Sequence, residues 1–141
     1  MSIHFNSAEE AEDAFYRAFQ ELDLELMDQV WSDLPETSCL HPGGGLLLGK
    51  PAVRQSWSEI FAAAERPSMV HRCLQVTTNG DLSVHQVEEL IRHGGDPEDK
   101  ASRVVSTNVY HRDRNGWHLL IHHASLPLVG ATAKERGARL H

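Results

Sequence analysis

The sequence predicts an α+β fold in which helices pack on a strongly curved, mostly antiparallel sheet. Three observations predict it. Apolar residues recur at helical spacing in three stretches ahead of Pro67. Beyond Pro67 they alternate as strand residues do. Asn79-Gly80 and Asn115-Gly116 then stand between alternating runs, where tight hairpins turn. Helices first and strands later mark an α+β organisation. Helices laid on a curved sheet leave a conical pocket between the layers.

The elements follow in order. In "SAEEAEDAFYRAFQEL", Ser7 and Glu10 have the S-x-x-E spacing of a capping box. Ala11, Phe15, Ala18, Phe19 and Leu22 continue as an apolar stripe. Asp23 caps a second helix, "LELMDQVWSDL", with Met27, Val30 and Trp31 on one side and Pro35 at its end. "TSCLHP" is a short strand closed by Pro42, and "LLLG" is another. The glycines at 43–45 between them form a hairpin turn rather than a phosphate loop, since no G-K-[ST] follows. "GKPAVRQSWSEIFAAAERP" is a third helix, with Pro51 in its first turn and Val53, Trp57, Ile60 and Phe61 on one face. "MVHRCLQVTTNGDLSVHQVEELIRH" is a hairpin, "GGDPEDKA" a polar connection, and "SRVVSTNVYHR" with "WHLLIHHAS" a second hairpin. The tail "LPLVGATAKERGARLH" turns basic and loses its period, as a frayed or partner-bound end does. One domain over 1–141 is expected, with its core at about 7–126 and a tail at 127–141.

Composition narrows the function. The chain has 141 residues, 40% of them hydrophobic and 23% charged, which is a globular composition. A formal net charge of -7 argues against non-specific nucleic-acid binding, which needs a basic footprint, and against adhesion to anionic membranes. No apolar run has the length of a membrane span, and the acidic start "MSIHFNSAEEAED" lacks a signal peptide's basic and apolar regions. A cytoplasmic protein is expected. Cys39 and Cys73 make neither a disulfide framework nor a metal motif, and read as two buried thiols. No H-x-H or H-E-x-x-H occurs, and adjacent strand histidines diverge, so neither a metal nor a cofactor is expected.

Five segments carry a family resemblance: "DLELMDQVW" (Asp23–Trp31), "LHPGG" (Leu40–Gly44), "GKPAVRQSW" (Gly49–Trp57), "TNVY" (Thr107–Tyr110) and "GWHLLIHHAS" (Gly116–Ser125). In this order they resemble the nuclear transport factor 2-like superfamily, and more closely its SnoaL-like and ketosteroid-isomerase-like branch. The ending Trp117…His123-x-Ser125 is also similar to the association domain of calcium/calmodulin-dependent protein kinase II. The resemblance implies a cone-shaped fold with three N-terminal helices, a ligand cavity, and a homodimer formed through the outer sheet face. It does not imply one activity, because the superfamily includes isomerases, cyclases, dehydratases and assembly domains.

Candidate site residues divide by strand parity. In the last strand Trp117, Leu119, Ile121, His123 and Ser125 share one face. The family pattern matches His123, so His123 is expected to face the cavity as a general base or hydrogen-bond donor, with Ser125 beside it. His122 is then expected on the outer, intersubunit face. The plainer alternative for His123 is a core histidine bonded to a carbonyl or to His41. Asn108 shares a face with Val104, Ser106 and Tyr110 and stands where the kinase domain carries a pocket arginine. It is expected inward, orienting a carbonyl oxygen, or else fixing strand geometry. Neither face of "SVHQVEELIRH" is clearly apolar. Glu88, if inward, is the carboxylate candidate; otherwise it is a solvated or interface glutamate. His41 belongs near the pocket rim. Tyr16, Trp31 and Trp57 lie on helices that would line the cavity, where aromatic walls and plain core overlap. The leading function is a small-molecule-binding protein of isomerase or cyclase type for a small apolar or aromatic carbonyl compound. The competing function is a non-catalytic oligomerisation domain.

Overall fold

A computed structural model describes residues 3–63, 65–92 and 101–126. The tail beyond 126 and all but the last residue of the "GGDPEDKA" connection lie outside the described residues. Its elements are α1 (Ala8–Glu21), α2 (Leu24–Val30), β1 (Ser38–Leu40), β2 (Leu46–Leu48), α3 (Lys50–Ala63), β3 (Ser68–Asn79), β4 (Leu82–Arg92), β5 (Ser102–Asp113) and β6 (Gly116–Ser125).

The caps act where the sequence places them. Ser7 Oγ accepts from the Glu10 amide at 3.0 Å, while the Glu10 carboxylate reaches back to the Asn6 amide at 2.6 Å. Helix α1 ends with Leu22 in the left-handed region (φ 55°), which directs the Asp23 amide onto the Ala18 carbonyl at 2.9 Å. Asp23 Oδ1 then accepts from the Leu26 amide at 3.0 Å and starts α2. Trp31 departs from the expected pattern: it leaves α2 in extended conformation and forms a parallel bridge with Leu119. It is still buried.

The six strands form one sheet in the order β2-β1-β6-β5-β4-β3, antiparallel throughout except for the parallel β1–β6 pair. All three helices pack on the same side of it, and α1 lies across β3, β5 and β6. Phe15, Val30, Val53, Trp57 and Leu119 between the layers are fully buried. Each such side chain contributes about 1.5–3 kcal/mol of transfer free energy. Phe15 is the hub, edge-on to Tyr16, Trp31 and Trp57 at centroid distances of 4.8, 6.2 and 5.6 Å.

Two bulges bend the sheet. Cys73 pairs with Val87 and Gln75 with Gln86, which leaves Leu74 as an extra residue on β3. Val109 pairs with Ile121 and Tyr110 with Leu119, which leaves Leu120 extra on β6. A bulge raises the local twist and shifts the side-chain alternation by one place beyond it. The two thiols also separate: Cys39 is buried as expected, whereas Cys73, on the edge strand β3, is exposed.

Candidate functional site

The bulge at Leu120 decides which histidine of the pair faces the helices. Trp117 and Leu119 point inward before it, and His122 and Ala124 after it. The facing expected from uninterrupted alternation is therefore reversed. His122 is 2% exposed and lies against Phe15 and Trp57, at ring centroid distances of 4.8 and 6.3 Å. His123 lies on the opposite, outer face, half-buried, with Nε2 3.3 Å from Ser38 Oγ. Ser125 is exposed at the end of β6.

Strand β4 is also corrected. Ser83, His85, Val87, Glu89 and Ile91 face the helices, so Glu89 is the inward carboxylate. Glu88 is on the outer face between Arg72 (3.2 Å) and Arg103 (2.6 Å). The hydrogen bond from Arg103 holds the Glu88 carboxyl below its ordinary range, opposed by burial and aided by the charges of Arg103 and Arg72.

The inward polar side chains of α1, β4, β5 and β6 form one connected network. Tyr16 Oη donates to Glu89 Oε2 at 2.6 Å, and Ser106 Oγ donates to the same oxygen at 3.0 Å. Asn108, fully buried, accepts from His122 Nδ1 at 2.5 Å and donates from Nδ2 to Tyr16 Oη at 3.0 Å and to Glu12 Oε1 at 3.4 Å. Tyr110 Oη donates to Glu12 Oε1 at 2.9 Å. Asn108 thus stands inward, as its parity with Val104 and Tyr110 has it.

Burial governs the protonation of this network. It pushes the Glu89 carboxyl up, and the bonds from Tyr16 and Ser106 only partly oppose it. It pushes the His122 imidazole down to about 3, helped by the nearby His41 and His123, so His122 is neutral. It holds the Tyr16 and Tyr110 hydroxyls well above their usual range, with the neighbouring carboxylates adding to the effect. The centre therefore offers a carboxyl biased toward its protonated form, hydroxyl donors and a neutral imidazole, which is equipment for moving a proton.

The network meets the surface between α1 and β3. A depression of about 390 Å³ there is lined by Asp13, Tyr16, Arg17, Gln20, Met69 and His71. His71 sits directly opposite Glu89 in the β3–β4 register and stacks on the Tyr16 ring at 4.3 Å. A larger groove of about 630 Å³, lined in part by Trp31 and His118, lies between α2, α3 and β6. Its cations are already paired, Lys50 with Asp33 at 2.8 Å and Arg54 with Asp28 at 2.6 Å. The smaller depression is the better candidate because Tyr16, which lines it, hydrogen-bonds the buried Glu89 carboxyl behind it.

The remaining expected residues lie around Trp57. His41 is edge-on to the Trp57 ring at 4.7 Å, and its Nε2 lies 3.0 Å from Ser56 Oγ. Burial lowers its pKa. Trp57 is fully enclosed by Phe15, Phe19, His41, Phe61 and His122. The structure brings Tyr16 and Asn108 into one network, with Trp57 packed against it through His122. Glu88, His123 and Ser125 stand apart from it. Glu12, His71, His85, Ser106 and Tyr110 were not singled out by sequence. The usable signal was parity: Glu89 alternates with Val87 and Ile91, and Glu12 lies one turn before Tyr16.

Comparison with known proteins gives a consistent family. A SnoaL-like domain profile matches residues 8–129. A Thiobacillus denitrificans protein named provisionally as a calcium/calmodulin-dependent protein kinase type II association domain is similar in structure. It is 32% identical, with a TM-score of 0.85 over 90% of this chain and 100% of that one. A protein of the NTF2-like family from Streptomyces avermitilis, named provisionally as a dehydratase, is 33% identical, with a TM-score of 0.76 over 84% of this chain and 92% of that one. The F-box protein SKIP8 of Arabidopsis thaliana is 23% identical over 115 residues, which is 82% of this chain. The chain spans about half the length (47%) of that curated relative. No helix among the described residues is long and apolar enough to cross a membrane.

Proposed function

Because the chain belongs to the SnoaL-like domain family, we propose that it binds a small apolar or aromatic carbonyl compound at the α1–β3 depression and moves a proton on it with Glu89. The observation that carries this reading is the 2.6 Å hydrogen bond from Tyr16 Oη to a buried carboxyl whose pKa is raised. Tyr16 belongs both to the wall of the depression and to the network behind it. Ionised Glu89 would take a proton from the carbon beside the carbonyl, while Tyr16 Oη supports the developing negative charge on oxygen. Return of the proton to another carbon of the enolate completes an isomerisation with no other reactant. Asn108 and His122 are positioning residues for Tyr16 in this scheme. The carboxylate role first expected of Glu88 passes to Glu89, while the inward histidine, His122 rather than His123, acts only through Asn108.

The test has two stages. A panel of small aromatic and carbonyl compounds is screened for a rise in Tm, and hits are followed by NMR for exchange of carbon-bound hydrogen in D2O. Glu89→Gln should retain the Tm rise and lose at least 100-fold in exchange rate. Exchange that persists in Glu89→Gln would refute the assignment.

A second reading is favoured by the outer face of the sheet. Val84, Val109 and Ile121 lie in one cross-strand row there, each half-buried, beside the exposed Leu82. Such an apolar row suits a homodimer interface, and the Thiobacillus relative is named for association. The two readings are compatible, since one uses the inner face and the other the outer.

A further inference from the structure

We propose that Glu12, Cys73 and His85 form a zinc site with three protein ligands, open to solvent at its fourth position along β3. A carboxylate oxygen of Glu12, Sγ of Cys73 and a ring nitrogen of His85 all lie within 4.8 Å of one another. Thiolate, imidazole and carboxylate are together a zinc donor set. No local spacing announces them, because the three ligands come from α1, β3 and β4.

The strongest sign is His85. The residue is fully buried, and its Nδ1 has no aligned hydrogen-bond partner. Nδ1 nevertheless points toward Glu12, 3.1 Å from Oε2. The other ring nitrogen is occupied: Nε2 lies 2.9 Å from Ser83 Oγ, which lies 2.9 Å from Thr78 Oγ1. Metal binding at Nδ1 selects the tautomer in which Nε2–H donates to Ser83, and the Nδ1 lone pair then faces the Glu12 side of the cluster. A metal-bound histidine commonly has its second nitrogen held in this way.

The carboxylate is similarly fixed. Oε1 of Glu12 accepts from Tyr110 Oη at 2.9 Å, which leaves Oε2 for the cluster. Oxygen and nitrogen ligands on tetrahedral zinc stand about 3.3 Å apart, close to the 3.1 Å already present between Glu12 and His85. Cys73 is exposed and immediately precedes the Leu74 bulge. Its sulfur needs to approach by about 1 Å to reach tetrahedral spacing. Glutamate and thiolate balance the charge of one Zn²⁺, and the exposed side of Cys73 leaves the fourth position to water.

The test uses the full chain, stripped with a chelator and dialysed. Zn²⁺ is titrated in competition with a chromophoric chelator, and Co²⁺ is used as the spectroscopic probe. One equivalent should bind, and Co²⁺ should give a thiolate-to-metal charge-transfer absorption. Cys73→Ser changes an exposed residue and should retain the fold. It should abolish that absorption and weaken zinc binding at least tenfold. Ser83→Ala should weaken zinc binding about tenfold, and Cys39→Ala should change neither readout. An absorption that survives in Cys73→Ser, one that disappears in Cys39→Ala, or zinc affinity equal in the parent chain and Cys73→Ser would each overturn the proposal.

Discussion

Leu119 and His122 lie three residues apart on one strand and face the same side of the sheet. Simple alternation forbids that relationship, and the extra residue at Leu120 creates it. The two neighbouring histidines should consequently differ sharply on truncation. His122→Ala removes a ring packed between Phe15 and Trp57 and leaves Asn108 Oδ1 without its donor. Loss of a large buried group together with an unsatisfied acceptor costs roughly 2–4 kcal/mol. His123→Ala, on the outer face, should cost less than about 1 kcal/mol in the monomer. Urea unfolding of both variants checks this, and equal losses would contradict the assigned facing.

The same burial predicts a pH dependence with a definite sign. The pKa of His122 is about 3 in the folded protein, against an ordinary 6.5. Below pH 6.5 the unfolded chain takes up a proton that the folded chain refuses, so stability falls with pH from about 6.5 down to about 3. This contribution is roughly 2–3 kcal/mol lost between pH 7 and pH 4.5. Glu89 acts with the opposite sign. Its raised carboxyl contributes stability that is present below about pH 4.5 and is lost as pH rises through its folded value. Urea midpoints at pH 7.5 and 4.5 should therefore differ less in His122→Phe than in the parent protein, and more in Glu89→Gln. The opposite ordering would mean that other groups govern the acid limb.

How far the sequence reaches is clear from these residues. Caps, helix faces, Asn-Gly turns and element order are local signals, and they led to the right architecture and family. Asn108 was placed inward correctly because no bulge lies between it and Val104 or Tyr110. His122 and His123 were exchanged because a bulge is set by pairing with β5, and no residue near Leu120 marks it. Glu89 was passed over for Glu88 because β4 carries polar residues on both faces. Its inner polar groups are matched by α1 and β5, a pairing that exists only after folding. Glu12 carries no mark in the sequence, because Tyr110, Asn108 and His85 close around it only in the folded chain.

The outer face yields a prediction on assembly. Val109 is the middle of the Val84–Val109–Ile121 row. In a dimer formed through this face, Val109→Asp buries a carboxylate against apolar neighbours, a cost of several kcal/mol that a weak interface does not survive. Sedimentation should show the parent chain as a dimer and Val109→Asp as a monomer with an unchanged far-UV spectrum. A variant that stays dimeric would place the interface elsewhere.

Gly116 tests the attachment of the N-terminal segment. It opens β6 at φ +100°, and a Cβ at this position would stand 2.5 Å from the Phe5 carbonyl oxygen. That closeness exists because the Trp117 amide donates to the same oxygen at 2.9 Å, tying Phe5 to the strand ahead of α1. Phe5 is buried and its ring meets His118 edge-on at 5.9 Å. Gly116→Ala meets both obstacles, the positive φ and the clash with backbone, which cannot rotate away. It should cost roughly 2–3 kcal/mol. The loss should be local, with faster hydrogen exchange at the Trp117 amide and greater exposure of Phe5, while the Tyr16–Glu89 network keeps its protection. The preceding Asn115 is exposed and has no positive φ, so Asn115→Ala serves as the control and should lose less than about 1 kcal/mol. Equal losses in the two variants would mean that the turn as a whole, rather than the approach of Phe5 to Gly116, sets the cost.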